Sequence, residues 1–176
     1  SAIDTDINRE VLEIGSGTGA ITGLLCKVSK KVTAVEIDSS LCDILKRKNY
    51  ENLDIINKDF LRINIDSFKE SIIVGNLPYY ITTPIIFKIL KSKMSWDKLY
   101  FLMQREVAER ITALPGTKMY GRLSVTCQAL AKTNKIFNIS PNVFRPIPKV
   151  DSTLIMLESN PLIRQKEHYL KFEKII

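Results

Sequence analysis

The chain of 176 residues is poor in the residues that hold metal ions and crosslinks, with one histidine and three cysteines. Cys26, Cys42 and Cys127 have unrelated spacings and form no CxxC pair, which excludes a zinc site and a disulfide framework and predicts that no metal is bound. No apolar run is long enough to span a bilayer, and no basic segment followed by an apolar stretch begins the chain. These absences predict a cytoplasmic protein that does not enter a membrane.

Acidic residues are scarce in one part of the chain. Residues 86–149 hold 12 Lys and Arg but 3 Asp and Glu, whereas residues 1–85 hold 10 basic and 12 acidic side chains. This imbalance favours a first half that binds a small ligand and a second half that meets a polyanion. A lysine-rich solvated surface is the alternative, and charge alone does not decide between the two.

Strand-like and helix-like segments alternate along the chain. Short β-branched or apolar runs predict seven strands, at residues 10–14, 32–37, 53–57, 72–75, 99–103, 136–139 and 152–157. Helical periodicity and capping residues predict helices at residues 18–29, 82–90, 105–113 and 121–131. A further helix is predicted through Leu41, Ile44 and Leu45, with Asp38 and Ser39 as candidates for its cap. This order predicts an α/β protein with a doubly wound, mostly parallel sheet. The last two strands are joined by a proline-rich loop without a helix, so this last region is expected to be antiparallel.

A glycine-rich loop follows the first predicted strand. Gly15, Gly17 and Gly19 precede a predicted helix, and such loops let the backbone approach a ligand closely. Glu36, at the end of the next strand, has the spacing of an acceptor for ribose hydroxyls. A tight turn without a ligand is the alternative. The pair favours a ligand that contains a nucleoside but does not identify it.

Asp59 and Phe60 follow the third predicted strand. A carboxylate there can accept from an adenine amino group, and the phenylalanine can pack on the ring. Taken alone, Asp59 would be read as a loop or capping residue. Its place at the same sheet edge as Gly15 and Glu36 favours the binding role.

Asn76-Leu77-Pro78-Tyr79 follows the fourth predicted strand. The Asn76 amide oxygen and the Leu77 carbonyl can both accept from an exocyclic aromatic amine, which suits transfer of a methyl group from an activated donor. Pro78 rigidifies the segment, and Tyr79 can stack on a base flipped into the pocket. A turn carrying an aromatic plug is the alternative, disfavoured by the nucleoside-binding pattern before it.

Six ordered motifs carry a resemblance to a known family. They are EIGSGTGAIT, VEID, KDF, NLPYYITTPI, MQREVAERITALPGTKMYGRLSV and VFRPIPKVDST, and they extend from residue 13 to residue 153. The sequence resembles the KsgA-type small-subunit (16S) ribosomal RNA adenine N6,N6-dimethyltransferases, which are class I S-adenosylmethionine-dependent enzymes. The resemblance implies a Rossmann-like fold with seven strands and dimethylation of two adjacent adenines in the 3′-terminal hairpin of that RNA. It implies an enzyme of small-subunit biogenesis that acts on the rRNA or the pre-30S particle. We expect the protein to be a monomer.

The resemblance also implies roles for individual residues. The cofactor S-adenosylmethionine, and its product S-adenosylhomocysteine, would contact Gly15, Gly17, Glu36, Ile37, Asp59, Phe60 and Asn76. The target adenine would be held by Asn76, Leu77, Pro78 and Tyr79, and Phe144 would close over the flipped base. Without the resemblance, Phe144 would be read as an apolar plug that anchors a proline-rich loop.

The chain departs from the family pattern at both ends. Members begin with a basic segment containing Gln-Asn-Phe-Leu, and this sequence has no such segment. Members also end in a small helical domain, of which only residues 161–176 of this sequence could be the start. We therefore expect a catalytic domain at residues 1–159 and the start of a truncated helical segment at residues 160–176, in a trimmed core with reduced or no activity.

Three other functions fit parts of the sequence. The antibiotic-resistance methyltransferases of 23S rRNA share the glycine loop and an Asn-x-Pro-Tyr segment, although residues 106–125 resemble the KsgA type more closely. A non-catalytic rRNA-binding assembly factor would keep the fold, but the intact Asn76–Tyr79 segment argues against lost chemistry. A nicotinamide-dependent oxidoreductase is disfavoured, because no histidine lies near the predicted strand ends.

Overall fold

Strands and helices alternate as the sequence predicts. The computed structural model describes residues 9–69, 72–143, 147–148 and 150–160. In these ranges the strands are β1 (Glu10–Ile14), β2 (Lys31–Glu36), β3 (Leu53–Asn57), β4 (Ile72–Asn76), β5 (Lys98–Gln104), β6 (Ala131–Ile139) and β7 (Ser152–Ser159). The α-helices are α1 (Thr22–Val28), α2 (Ser39–Lys46), α3 (Thr82–Lys91), α4 (Arg105–Ile111) and α5 (Arg122–Leu130).

The seven strands form one sheet in the order β3-β2-β1-β4-β5-β7-β6. β1 pairs in parallel with both β2 and β4, and β2 pairs in parallel with β3. β6 and β7 pair antiparallel. The predicted fold, a mostly parallel sheet with an antiparallel last region, is confirmed.

The chain divides into two compact units, Ser1–Phe101 and Leu102–Ile176. In the first unit, β1, β2 and β4 bury almost every side chain, as strands covered on both faces do. Trp96, Tyr100 and Phe101 are the bulkiest buried side chains of its core. The carboxyl ends of β1, β2 and β4 therefore follow strands that are packed into the core.

The second unit combines α4 and α5 with the β6–β7 hairpin. The hairpin register runs from Ala131 opposite Ser159 to Ile139 opposite Ser152, with an irregularity between Lys135 and Phe137. The buried apolar residues here include Ile111, Leu123, Cys127, Ile155 and Leu157. Within the described ranges, no helix has both the length and the apolar character needed to cross a membrane.

Most predicted boundaries lie within two residues of those in the structure, and two are wrong by four or five residues. The first helix begins at Thr22 rather than at residue 18, because Gly19 has a φ of +81° that no right-handed helix accommodates. The sixth strand begins at Ala131 rather than at residue 136, because its pairing with β7 extends over nearly the whole hairpin. Tertiary pairing here overrides the local pattern.

Two further expectations fall on residues that the structure does not describe. Phe144 and residues 161–176 lie outside the described residues. The division into a catalytic domain at residues 1–159 and a helical segment at residues 160–176 therefore stays a prediction.

Gly75 provides a test of the packing beneath the carboxyl end of β4. A Cβ at this position would lie 2.7 Å from Leu77 Cδ2, 3.1 Å from the Ile14 carbonyl oxygen and 3.3 Å from Phe101 Cδ1. Because the Ile14 carbonyl belongs to the sheet and cannot move aside, Gly75→Ala should lower the free energy of unfolding by about 1–3 kcal/mol. Urea denaturation measures this change.

Gly121 is the matched control for that variant. A Cβ there would meet no atom within 4 Å, and its backbone is extended, with a φ of −155°. Gly121→Ala should change stability by less than about 1 kcal/mol. Equal losses in the two variants would contradict the packing described here.

Candidate functional site

The glycine loop has a backbone conformation that side chains rarely adopt. Gly15, Gly17 and Gly19 have φ angles of +73°, +55° and +81°. The Gly15 N–H donates to the Val35 carbonyl at 2.9 Å, which ties the start of the loop to β2. A Cβ at Gly17 would meet no atom within 4 Å, so the backbone at Gly17 faces open space. The loop thus leaves room for a ligand to approach its backbone.

The carboxylate of Glu36 connects the end of β2 to this loop. Its Oε2 accepts from the Gly17 N–H at 2.8 Å, and its Oε1 accepts from the N–H groups of Ile37 and Asp38 at 2.9 and 3.0 Å. Only 8% of the residue is exposed. Glu36 therefore orders the loop, and Oε2 retains acceptor capacity for a further donor such as a hydroxyl.

Asp59 and Phe60 follow β3 at the same edge. Asp59 caps a short 3₁₀ turn, Phe60–Arg62, by accepting from the Leu61 N–H at 2.9 Å. The Phe60 ring is buried at 5% exposure, and the Lys88 ammonium lies 5.8 Å from its centroid. The capping alternative for Asp59 thus holds in the structure, alongside a position on the cavity wall.

The segment after β4 alternates buried and exposed side chains. Asn76 and Pro78 are exposed, Leu77 is buried and Tyr79 is half-buried. The Pro78 carbonyl accepts from the Ile81 N–H and from the Thr82 hydroxyl, both at 3.1 Å. The buried Leu77 side chain and this double acceptor anchor the segment between β4 and α3.

These elements surround one cavity of about 370 Å³ in the first unit. All seven residues expected to contact the cofactor lie on its wall, namely Gly15, Gly17, Glu36, Ile37, Asp59, Phe60 and Asn76. Of the residues expected to hold the target base, Asn76 and Pro78 lie on the wall, whereas Leu77 and Tyr79 do not. Phe144 lies outside the described residues. The structure therefore brings the expected cofactor residues together and leaves their individual roles as predictions.

Tyr80 is a wall residue that the sequence analysis missed. Its side chain is 85% exposed and lines the cavity, as do Lys58 and Ile81. Ile37, on the same wall, is 68% exposed. Large hydrophobic side chains that are this exposed beside a cavity form a surface suited to covering a ligand. The adjacent tyrosines in the sequence were a signal for it, but the pattern could not say which of the two faces the cavity.

Glu13 is a buried acidic residue near the glycine loop that the sequence analysis did not single out. It is 2% exposed on β1 beneath the glycine loop, and its Oε2 accepts from the Thr22 hydroxyl at 2.6 Å. Burial raises the pKa of its carboxyl from 4.5 to about 7, the Thr22 hydrogen bond opposes this rise, and the charge of Glu36 adds to it. An acidic residue inside an apolar strand was the sequence signal for this site.

The raised pKa of Glu13 predicts a pH dependence of stability. Between pH 4.5 and about 7 the folded state binds more protons than the unfolded state, so stability falls as the pH rises through this window. Glu13→Gln removes the titration, and its free energy of unfolding relative to the original protein should rise by on the order of 3 kcal/mol between pH 4.5 and 8. Urea unfolding across this range measures the difference, and parallel curves would contradict the assignment.

The wall of the cavity suits a nucleoside. The wall contains the Glu36 carboxylate at the end of β2 and the Asp59 carboxylate after β3. It also contains the buried Phe60 ring and Gly17, whose backbone faces open space. These groups can accept from ribose hydroxyls and an amino group and can pack on a base. Among the described residues, no group of three or more His, Cys, Asp or Glu side chains could hold a metal ion.

The strand order, the antiparallel last region and a nucleoside-type cavity at the carboxyl ends of β1 to β4 define a class I methyltransferase fold, whose members use S-adenosylmethionine. The sequence profile named "Ribosomal RNA adenine dimethylase" matches residues 2–176. The chain belongs to the ribosomal RNA adenine dimethylase family.

Individual relatives agree with this membership. The chain is 42% identical to "Ribosomal RNA small subunit methyltransferase A" of Mesomycoplasma hyopneumoniae, over 95% of this chain and 66% of that protein. A dimethyladenosine transferase from Plasmodium falciparum superposes with a TM-score of 0.84 at 31% identity, over 96% of this chain and 60% of that one. The 23S rRNA methyltransferase ErmE gives 0.81 at 26% identity, over 95% and 70%. The chain thus spans 66% of the length of the curated relative.

Proposed function

We propose that the protein transfers methyl groups from S-adenosylmethionine to the N6 amino groups of two adjacent adenines in the 3′-terminal hairpin of small-subunit (16S) rRNA. The observation that carries the proposal is that all seven residues expected to contact the cofactor, Asn76 among them, lie on the wall of one cavity. Family membership supports the chemistry, and the named relative at 42% identity supports the small-subunit target.

The cofactor would occupy the cavity through residues that are already held in place. Glu36 Oε2 would accept from a ribose hydroxyl, Asp59 from the adenine amino group, and Phe60 would pack on the ring. S-adenosylmethionine supplies an activated methyl group when bound. Because its sulfonium already activates the methyl group, the protein needs to orient the acceptor rather than provide a strong base.

The target amine would be held by the segment after β4. The exposed Asn76 amide oxygen and the Leu77 carbonyl would accept from the adenine amino group and direct its lone pair toward the methyl group. Tyr79, half-buried beside them, would stack on the flipped base, and Phe144 would close over it. The two hydrogen bonds to the Pro78 carbonyl would help to hold this segment in place.

The proposal includes the choice of rRNA, the partner particle and the compartment. The 23S enzyme ErmE superposes well, but the greater identity to a small-subunit methyltransferase favours the 16S target. The partner would be small-subunit rRNA or the pre-30S particle in the cytoplasm, with the protein acting as a monomer. Titration with S-adenosylhomocysteine and with NAD separates methyl transfer from nicotinamide chemistry, since only the first should bind.

The cofactor assignment predicts a loss of affinity in Glu36→Ala. This variant removes the acceptor for the ribose and frees the Gly17 N–H, so the Kd for S-adenosylhomocysteine should rise about 10- to 100-fold. Isothermal titration measures it. Asp38→Asn is the control, because Asp38 caps α2 and does not line the cavity. Unchanged affinity in Glu36→Ala would refute the assignment.

The catalytic assignment predicts a loss of turnover in Asn76→Ala. Methyl transfer to small-subunit particles that lack the modification should fall about 100-fold or more, the scale for removing one preorganised polar contact. Affinity for S-adenosylhomocysteine should fall far less than turnover, because the other six expected cofactor contacts remain, and raising the pH should not restore the rate because no base has been lost. Incorporation of radiolabelled methyl groups measures turnover, and near-normal methylation would show that the mechanism is wrong.

A further inference from the structure

The second unit contains a long stretch without acidic residues. Residues 110–150 include seven Lys and Arg and no Asp or Glu, so they carry a charge equal to the net charge of +7 of the whole chain. Interfaces between proteins usually mix both signs to set their register, whereas a nucleic acid presents one sign throughout. This composition favours a nucleic acid as the partner.

The connection between α4 and α5 exposes apolar side chains within this stretch. Residues 114–119 are all exposed, with Leu114 at 72% and Met119 at 38%. Lys118 and Arg122 are exposed in and directly after the same connection. Apolar side chains flanked by cations offer both a surface for sugars or bases and partners for phosphates.

The connection is ordered by its own hydrogen bonds. The Thr117 N–H and hydroxyl both donate to the Leu114 carbonyl, at 3.2 and 2.8 Å. The Tyr120 N–H donates to the Thr117 carbonyl at 3.0 Å, and Gly116 takes a φ of +84° between them. These bonds close two successive turns, so residues 114–121 form a compact loop, named here the α4–α5 loop.

Two side chains of α5 fix the ends of the α4–α5 loop. The buried Ser124 hydroxyl accepts from the Gly121 N–H at 3.1 Å and donates to the Arg110 carbonyl. The Gln128 amide donates to the carbonyls of Ile111 and Ala113 at 2.9 and 2.8 Å. They satisfy carbonyls at the end of α4 that a helix leaves unpaired. The loop conformation is therefore set before any partner arrives.

We propose that the α4–α5 loop is a preformed RNA-docking surface, in which Lys118 and Arg122 contact phosphates and Leu114 packs against the sugar or base surface beside them. The inference rests on the proposed rRNA substrate and adds the surface that binds it. Because the loop is already ordered, little conformational entropy is lost on docking. Gln128 is a positioning residue, since it acts by holding the loop.

Charge reversal tests the phosphate contacts. The probe is a synthetic RNA hairpin with two adjacent adenines in its loop, titrated by fluorescence anisotropy at several salt concentrations. The double variant Lys118→Glu/Arg122→Glu should raise the Kd at least 30-fold and lower the salt slope by about 1.5–2, because two phosphate contacts are lost. The matched control Lys27→Glu/Lys30→Glu makes the same charge change on exposed residues of the first unit and should alter the Kd less than threefold.

Two neutral variants test the apolar contact and the positioning role. Leu114→Ser should raise the Kd about fivefold without changing the salt slope, since no charge is lost. Gln128→Met should raise the Kd by a similar factor and should also lower hydrogen-exchange protection at residues 117–121. Affinity for S-adenosylhomocysteine should be unchanged in both, which separates a loop effect from general unfolding.

The outcomes separate this inference from the proposed function. If the double reversal weakens RNA binding no more than its control, the docking surface is wrong even where methylation persists. If the double variant keeps normal RNA affinity but no longer methylates small-subunit particles, the loop would instead contact an acidic protein partner. That result would also overturn the docking surface. Failure of the original protein to bind S-adenosylhomocysteine would instead contradict the proposed function.

Discussion

The carboxylate of Glu36 is the constraint on which the rest of the site depends. Three backbone N–H groups converge on it, one of them from Gly17, so the end of β2 and the glycine loop hold each other in place. The loop has three positive φ angles, and it is ordered in part by bonds from the Gly15 N–H to the Val35 carbonyl and from the Gly19 N–H to the Ser16 carbonyl. Glu36 supplies part of that order, and the same carboxylate can still accept from a ligand.

The carboxyl end of β4 is held in place by apolar packing rather than by a carboxylate. Gly75 brings the strand close to β1, and the buried Leu77 side chain fills the space that a Cβ would take. Pro78 then presents a carbonyl that two donors at the start of α3 engage. The polar atoms proposed to hold the target amine are thus positioned by the apolar packing beneath them. Such packing fixes the geometry of a site before its ligand binds.

The two units of the chain differ in their balance of acidic and basic residues. The cavity lies in the first unit, where acidic and basic residues are nearly balanced and the carboxylates of Glu36 and Asp59 accept from backbone N–H groups. The second unit contains residues 110–150, which have no acidic side chain at all. A small cofactor is recognised by individual hydrogen bonds, whereas an RNA is attracted by accumulated charge, so the two compositions fit two different ligands.

The sequence by itself determined the sheet and the cavity wall. Alternating strands and helices require parallel pairing, and parallel strands place their carboxyl ends at one edge, so Glu36, Asp59 and Asn76 had to meet there. Only the tertiary structure decided how far β6 extends, because its partner β7 sets that length. It also decided that Tyr80 rather than Tyr79 lines the cavity, since the side chains of neighbouring residues point in different directions and the local pattern does not fix which one lies on the wall.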